Sequence, residues 1–328
     1  MHKTKFMKKK LIVIFLCALT TQAFALEDGE DTLYGVKSSG VHFQDFGILT
    51  PSDGNFTAIK QVEPSGTCSS LGQACLGWPL GDIGAEPDPI NGYVFTRQDV
   101  YSEEEDAFVG TDILAIKKSD GTTKWLGVDS NDSILGYDTK ENLLILRRSD
   151  GSSNKVVSYN MTDSSIATIS SSFAAGKNTW QAGGTAAVDS YGRTAYVFNG
   201  TTLHKINLDD ATEETVSLDA MPVSIAWDSK KKKLYGVHNK NIVSIDTSSG
   251  DFTTVSSGTV PSTSNYVQLI APNDQRYYIQ GGDVTRVFSL ADGSLLGSFG
   301  NILRLMPVGA VVIGDETNDQ IISTDITD

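Results

Sequence analysis

A repeated segment near the middle of the chain limits its possible folds more than any other feature. The stretch VDSYGRTAYVFNGTTLHKIN (188–207) aligns without a gap to WDSKKKKLYGVHNKNIVSID (227–246). The turn residues Asp189 and Asp228 are 39 positions apart, and so are the strand ends Asn207 and Asp246. Each copy predicts short strands joined by tight turns, because Asp and Ser side chains bond their own backbone and Gly accepts positive φ.

The second copy extends over Pro222–Ser257 and predicts four antiparallel strands of about five residues each. Ends of the third strand recur along the chain, and we predict them at Thr50, Lys117, Asn160, Leu290 and Asp325. A period of about 40–45 residues with four strands per copy is typical of a β-propeller blade. We therefore predict an all-β fold, a β-propeller of four-stranded antiparallel blades, with seven blades favoured over six or eight. A β-sandwich is the competing fold.

The two ends of the predicted ring leave its closure open. The last copy starts at Ile302 and lacks a fourth strand of its own. The segment Leu33–Val36 (LYGV) has the same sequence as Leu234–Val237, a predicted second strand. It fits either as the missing strand of the last blade, which would close the ring and leave no open sheet edge, or as the second strand of the first blade.

The first 25 residues have the pattern of a secretory signal peptide. A basic segment (MHKTKFMKKK) precedes an apolar run, and the small residues Ala23 and Ala25 favour cleavage after Ala25. The apolar run is too short and wrongly flanked for a membrane-spanning helix. We expect residues 26–328 to form a single propeller domain without a transmembrane segment, secreted or periplasmic and monomeric.

The charge of the chain excludes some classes of partner. Removal of residues 1–25, which contain five lysines and no acidic residue, changes the net charge from −14 to −19. Such a surface repels nucleic acid and anionic lipid, so we expect no nucleic-acid partner. The basic run Lys230–Lys233 is interpreted as a solvated turn. A cationic ligand or bound calcium is the alternative to simple solubility.

An insertion at about residues 63–91 interrupts the repeat. It contains Cys68 and Cys75, which are expected to form a local disulfide in an oxidising compartment, with free thiols as the alternative. Long irregular loops in compact folds are often functional. We therefore predict a binding loop that includes Trp78, Asp82 and Glu86.

The sequence contains no complete catalytic or cofactor motif, so no catalytic residue is predicted. Asp129–Asp132 has alternate oxygen ligands, as calcium loops do, but lacks the glycine and closing glutamate of an EF-hand. Asp315–Asp319 is a second oxygen-rich turn, and each of the two is also consistent with an ordinary solvated hairpin. His42, His204 and His238 do not have the spacing of a zinc motif.

The repeats resemble the broad YVTN/WD40-like and quinoprotein-like β-propeller superfamily. ILAIKKSDGTTKW (113–125) is similar to the quinoprotein-type repeat, and LADGSLLGSF (290–299) resembles it without the tryptophan. No Trp-Asp pair ends a fourth strand as in WD40 repeats, and no quinone-binding residues match. The resemblance implies a fold and no particular activity.

We expect an exported noncatalytic scaffold that binds a protein, peptide or glycan on one face of the ring. The alternative is a metal-assisted lactonase or other hydrolase, with acidic residues from several blades around the axial channel, or a quinoprotein-like enzyme.

Overall fold

The computed structural model describes residues 32–38, 44–49, 56–62, 87–88, 92–102, 107–170, 173–174, 186–256, 260, 266–271, 275–281, 284–300, 304–308, 311–314 and 321–324. Within these ranges the backbone forms strands and turns, which confirms the all-β prediction. No helix in these ranges is long and apolar enough to cross a membrane.

The described strands form antiparallel blades and one separate hairpin. Blade I receives β1 (Thr32–Ser38), β2 (Gln44–Leu49) and β3 (Phe56–Val62). Blade II contains β4 (Pro87–Asp88), β5 (Tyr93–Ser102), β6 (Ala107–Lys117) and β7 (Thr123–Trp125). Blade III contains β8 (Asp132–Asp138), β9 (Leu143–Ser149), β10 (Ser153–Asn160), β11 (Ile166–Thr168) and β12 (Phe173–Ala174).

The second half of the chain continues the same order. Blade IV contains β13 (Ala186–Asp189), β14 (Thr194–Asn199), β15 (Thr202–Asn207) and β16 (Glu213–Ser217). Blade V contains β17 (Ser224–Asp228), β18 (Lys233–His238), β19 (Asn241–Ile245) and β20 (Phe252–Thr254). Blade VI contains β21 (Tyr266–Ala271), β22 (Arg276–Gly281), β23 (Val284–Ser289) and β24 (Leu295–Gly300). The remaining strands are β25 (Arg304–Val308), β26 (Val311–Gly314) and β27 (Ile321–Thr324).

The chain closes the ring by pairing its two ends. Strand β25 pairs with β1 in antiparallel register, with Leu33 opposite Pro307 and Tyr34 opposite Met306. Blade I therefore has the strand order β25-β1-β2-β3, and Leu33–Val36 is its second strand, as one of the two predicted placements required. The separate last blade predicted from Ile302 onwards is not formed in the described residues, because its first strand is part of blade I and β26 pairs only with β27.

The first strands of neighbouring blades lie side by side around the axis. Each first strand contacts the first strand of the next blade, in the order β8, β13, β17, β21, β25 and β4. Between blades II and III, the contact is made by β5 and β8. Five of the blades have four strands each, and blade III has a fifth because β11 and β12 share its outer edge against β10. The favoured count of seven blades is therefore not confirmed.

The core consists of apolar layers between adjacent blades. Successive side chains of a strand point to opposite faces of its sheet, so each blade contributes to two layers. In β18, Leu234 packs towards blade IV and the neighbouring Tyr235 packs towards blade VI. Both side chains are buried, and burying a side chain of this size stabilises the fold by about 1.5–3 kcal/mol.

The two ends of the first strands define two faces of the ring. We call the face where first strands begin the loop face, and the face where they end the turn face. On the turn face, the connection from first to second strand has four residues in each of blades II to VI (89–92, 139–142, 190–193, 229–232 and 272–275). The last residue of each has a left-handed φ between 53° and 73°; these residues are Gly92, Asn142, Arg193, Lys232 and Gln275.

Hydrogen bonds from these left-handed residues join neighbouring blades. Arg193 of blade IV pairs with the buried Asp138 of blade III, and Gln275 of blade VI donates to Asp228 of blade V at 3.3 Å. Burial raises the pKa of Asp189, against the opposing effect of Lys232 from blade V. The Asp residues at the ends of these first strands therefore link blade III to IV, IV to V and V to VI.

The turns between third and fourth strands confirm the predicted strand ends. Strands β6, β10 and β15 end at Lys117, Asn160 and Asn207, while β19 and β23 end one residue before the predicted positions. The predicted ends Thr50 and Asp325 lie outside the described residues. Within these turns, Gly121, Gly250 and Gly293 have positive φ and pack against the preceding blade, in its fourth strand or, for Gly293, at Val255 and Ser256 directly after it.

These glycines generate a prediction with a matched control. At Gly250 (φ 85°) an added Cβ would lie 1.9 Å from the Ser217 carbonyl oxygen, whereas at Gly200 (φ 60°) it would meet open space. Gly200→Ala should lose only about 1 kcal/mol for the left-handed conformation. Gly250→Ala should lose about 1–3 kcal/mol more through the clash.

Urea denaturation of the two variants measures this difference. Equal losses of unfolding free energy would show that blades IV and V do not meet at Gly250.

Candidate functional site

The loop face carries connections of very unequal length, in contrast to the turn face. The second and third strands are joined by two residues in blades IV, V and VI, three in blade III, four in blade II and five in blade I. Successive blades are joined by 63–86, 126–131, 175–185, 218–223, 255–265 and 301–303. Irregular connections on a regular scaffold are the usual location of binding residues.

Blade II extends furthest on this face among the described strands. Its strands β5 and β6 have 10 and 11 residues, against six to eight in the second and third strands of blades III, IV and VI. Ser102 pairs with Ala107, so the hairpin ends in the acidic connection 103–106. At about 3.4 Å per residue, the three residues beyond the length of β9 project the hairpin by roughly 10 Å.

The segment Asp129–Asn131 is an exposed polar tip next to this hairpin. It lies in the connection from blade II to blade III, and Asp129, Ser130 and Asn131 are all exposed. The hairpin packs closely against it, because a Cβ at Gly110 would lie 3.2 Å from the Cβ of Ser130. We call the hairpin Tyr93–Lys117 together with Asp129–Asn131 the loop-face platform.

Asp112 holds the connection that leads to the tip. Its carboxylate accepts hydrogen bonds from the backbone N–H groups of Ile113 (2.7 Å), Gly127 (2.9 Å) and Val128 (3.0 Å). Hydrogen bonds to a charged group are stronger than those between neutral groups. The carboxylate therefore fixes the backbone immediately before Asp129.

A buried arginine holds the tip itself. Nη2 of Arg97 donates to the Thr111 hydroxyl (2.8 Å) and to the Ser130 carbonyl oxygen (2.9 Å), and the Thr111 hydroxyl donates to the same carbonyl (2.6 Å). Arg97 and Thr111 are both about nine-tenths buried. The exposed Ser130 is thus connected to a buried polar anchor in blade II.

A bidentate ion pair fixes the other end of the tip. Arg148 donates from Nε to Oδ1 of Asp132 (2.8 Å) and from Nη2 to Oδ2 (2.7 Å). The hydrogen bond to the fully buried Asp132 carboxylate raises the pKa of Arg148. Asp132 also accepts from the backbone N–H of Asp129 at 3.2 Å. The platform therefore presents polar side chains on a rigid support, which suits recognition.

Sequence reasoning did not identify Arg97 and Arg148, the arginines that hold the tip. Arg97 and Arg147 each lie five residues after a left-handed turn residue, Gly92 and Asn142, so they occupy equivalent positions in blades II and III. Both are buried. The sequence signal for these residues is a charged residue within an otherwise apolar second strand. This signal is recognised only when the blades are aligned on their turns.

The carboxylates of Asp129 and Asp132, where calcium was considered, have hydrogen-bond partners within the protein. Arg148 engages both carboxylate oxygens of Asp132, and Asp129 Oδ1 accepts from the Asn131 backbone N–H at 2.9 Å. Among the described residues, no group of three or more His, Cys, Asp or Glu side chains could hold a metal ion. The second candidate, Asp315–Asp319, lies outside the described ranges.

The two described histidines lie in different blades. His204 lies in third strand β15, as expected, and its Nδ1 is 2.6 Å from Glu213 Oε1. His238 ends β18 at the turn to the third strand, where its Nε2 is 2.7 Å from Asn239 Nδ2. His42 lies outside the described residues.

The predicted binding loop and disulfide also lie outside the described residues; these are Cys68, Cys75, Trp78, Asp82 and Glu86. The described ends of the insertion still give its position in the ring. Val62 pairs with Gln44, so the connection 63–86 starts on the loop face, whereas Pro87 pairs with Val94 beside the turn-face connection 89–92, so it ends near the turn-face end of blade II. Pro87–Asp88 is the first strand of blade II, which places the start of this blade inside the predicted insertion.

No family model and no curated protein matches this chain. A structure of a nidogen/laminin complex is 11% identical with a TM-score of 0.56, over 84% of this chain and 97% of that one. TolB from Acinetobacter baumannii is 10% identical with a TM-score of 0.57, over 86% of this chain and 64% of that one. A protein assigned as a 6-phosphogluconolactonase from Bacteroides fragilis is 14% identical with a TM-score of 0.50, over 87% and 99%. This likeness shows the fold, a β-propeller.

The site generates a prediction about local rigidity. Asp112→Ala should increase hydrogen exchange of the Gly127 and Val128 amides at least about tenfold, because bonds to a charged group contribute about 1.5–3 kcal/mol. Asp120→Ala is the control, since Asp120 accepts only within its own exposed turn, from Thr122 N–H at 2.8 Å.

Hydrogen–deuterium exchange resolved to residues 126–131 measures the effect. Unchanged exchange in the Asp112 variant would contradict the role of this carboxylate.

Proposed function

We propose that this protein is an exported, noncatalytic binding module that captures a protein, peptide or glycan partner on its loop face. The observation that carries the proposal is the difference between the two faces. Turn-face connections repeat from blade to blade with four residues between first and second strands and five or six between third and fourth strands, whereas connections that start on the loop face range from two residues to the 24 of segment 63–86.

The polar groups of the two faces are used differently. On the turn face, Asp138, Asp189 and Asp228 cap their own turns and are buried among neighbouring blades. On the loop face, buried groups such as Arg97 hold the exposed Asp129–Asn131 outwards. Exposed polar groups on a rigid support lose little conformational entropy on binding, which favours recognition.

The size and position of the platform support a macromolecular partner. The extended blade II hairpin and the tip Asp129–Asn131 lie on the loop face, and the connection 63–86, which contains Trp78, starts on this face after Val62. An aromatic residue within a polar rim is a typical anchor of a protein or glycan interface. Export is supported by the signal-peptide pattern of residues 1–25.

A pair of charge reversals tests the proposal. Asp129→Arg places an arginine on the platform, and Glu141→Arg makes the same charge change in an exposed turn of blade III on the turn face. Each protein is immobilised and incubated with the exported proteins of its source, and the captured partner is then purified and titrated. Asp129→Arg should weaken partner binding at least about tenfold, while Glu141→Arg should leave it unchanged.

A loop replacement extends the test to the insertion. Residues 66–85 are replaced by a short Gly-Ser linker, so that Pro87–Asp88 remains to form the first strand of blade II. The variant should keep the β circular-dichroism signal and lose partner capture. Equal binding by wild type, Asp129→Arg and the loop variant would reject the loop face as the binding surface.

A further inference from the structure

One turn on the regular turn face departs from the others in composition. The connection from first to second strand of blade V is Ser229-Lys230-Lys231-Lys232, followed by Lys233 at the start of β18. All four lysines are exposed, in a chain with a net charge of −14. We call Lys230–Lys233 with the neighbouring Tyr191 the lysine patch.

The geometry of the turn does not require these lysines. The turn needs the capping Asp228, whose Oδ1 accepts from Lys230 and Lys231 N–H, and a left-handed last residue. The corresponding turns contain TKEN (139–142), SYGR (190–193) and PNDQ (272–275), so polar and acidic residues fit the same backbone. A lysine at a left-handed position is less favourable than asparagine or glycine.

Two of the four lysines have structural contacts within the ring. Lys231 Nζ donates to the Leu290 carbonyl oxygen of blade VI at 3.1 Å, and Lys232 Nζ lies 4.3 Å from the ring centroid of Tyr191 in blade IV. No described residue forms a hydrogen bond or ion pair through the ammonium group of Lys230 or Lys233. Within the described part of the chain, these two ammonium groups are therefore open to a partner.

Negative charges around the lysine patch restrict how wide an anionic partner can be. The outer turns of the same face carry aspartates whose pKa values are lowered by hydrogen bonds within each turn, including Asp163, Asp246 and Asp292. They stay charged at neutral pH and repel a broad anionic surface such as a bilayer. Screening confines each charge to about 8 Å at physiological salt, so a single narrow polyanion can contact the lysines alone.

We propose that the lysine patch is a second binding surface, on the turn face, for a polysaccharide that carries carboxylate or sulfate groups. Lys230 and Lys233 bind the anionic substituents. Tyr191, which is 42% exposed, offers an aromatic surface against which the apolar face of a sugar ring packs, with its hydroxyl available for a hydrogen bond.

Two charge-matched double variants test this surface. Lys230→Gln/Lys233→Gln removes the two free ammonium groups. Lys124→Gln/Lys240→Gln removes two exposed lysines elsewhere, one on outer strand β7 and one in the loop-face turn of the same blade V. The mature proteins are titrated with heparin and with alginate, and separately with phosphatidylglycerol vesicles and duplex DNA.

Wild type should bind heparin or alginate, and Lys230→Gln/Lys233→Gln should bind about tenfold more weakly. Lys124→Gln/Lys240→Gln should bind like wild type, and all three should share one thermal unfolding midpoint within a few degrees. Absence of polysaccharide binding by wild type, equal weakening of both double variants, or tighter binding to vesicles or DNA would each overturn the proposal. Partner capture on the loop face is independent of all these outcomes.

Discussion

The pairing of β25 with β1 is the contact on which the rest of the structure depends. It joins residues 304–308 to residues 32–38 and so completes blade I with a strand from the far end of the chain. Strand β25 also contacts β21 on one side and β4 on the other. Without this strand, blade I would lose its first strand and β1 would expose an open edge.

Closure also explains how the two faces acquire different properties. A closed ring fixes every first strand beside its neighbours, and the turn-face ends then meet at the aspartates that cap each turn. Burial alone would lower the pKa of Arg193, but its hydrogen bonds to Asp138 and Asp209 outweigh burial and raise it, which keeps the guanidinium charged. Loop-face connections vary in length, from two residues to 24.

Local patterns predicted most of the blades. The strand ends at Lys117, Asn160 and Asn207 follow from turn residues adjacent in sequence, and the Asp189–Asp228 spacing reflects a repeated cap. The number of blades and the way the ring closes were harder to predict from the sequence, because pairing between residues about 270 positions apart depends on the whole ring. The anchor of the platform was missed for the same reason, since Arg97 reaches Ser130 across the boundary between two blades.

A cross-strand cysteine pair tests the closed ring most directly. Tyr34 and Met306 are directly opposite in the closure pairing, whereas Arg304 is opposite Val36. Directly opposite residues have Cα atoms about 4.5–5.5 Å apart, within reach of a disulfide, and diagonal ones are about 7–8 Å or more apart. Peptide mapping of the oxidised protein should find a disulfide in Tyr34→Cys/Met306→Cys and none in Tyr34→Cys/Arg304→Cys. No bridge in the first variant, or equal bridging in both, would contradict the closed ring.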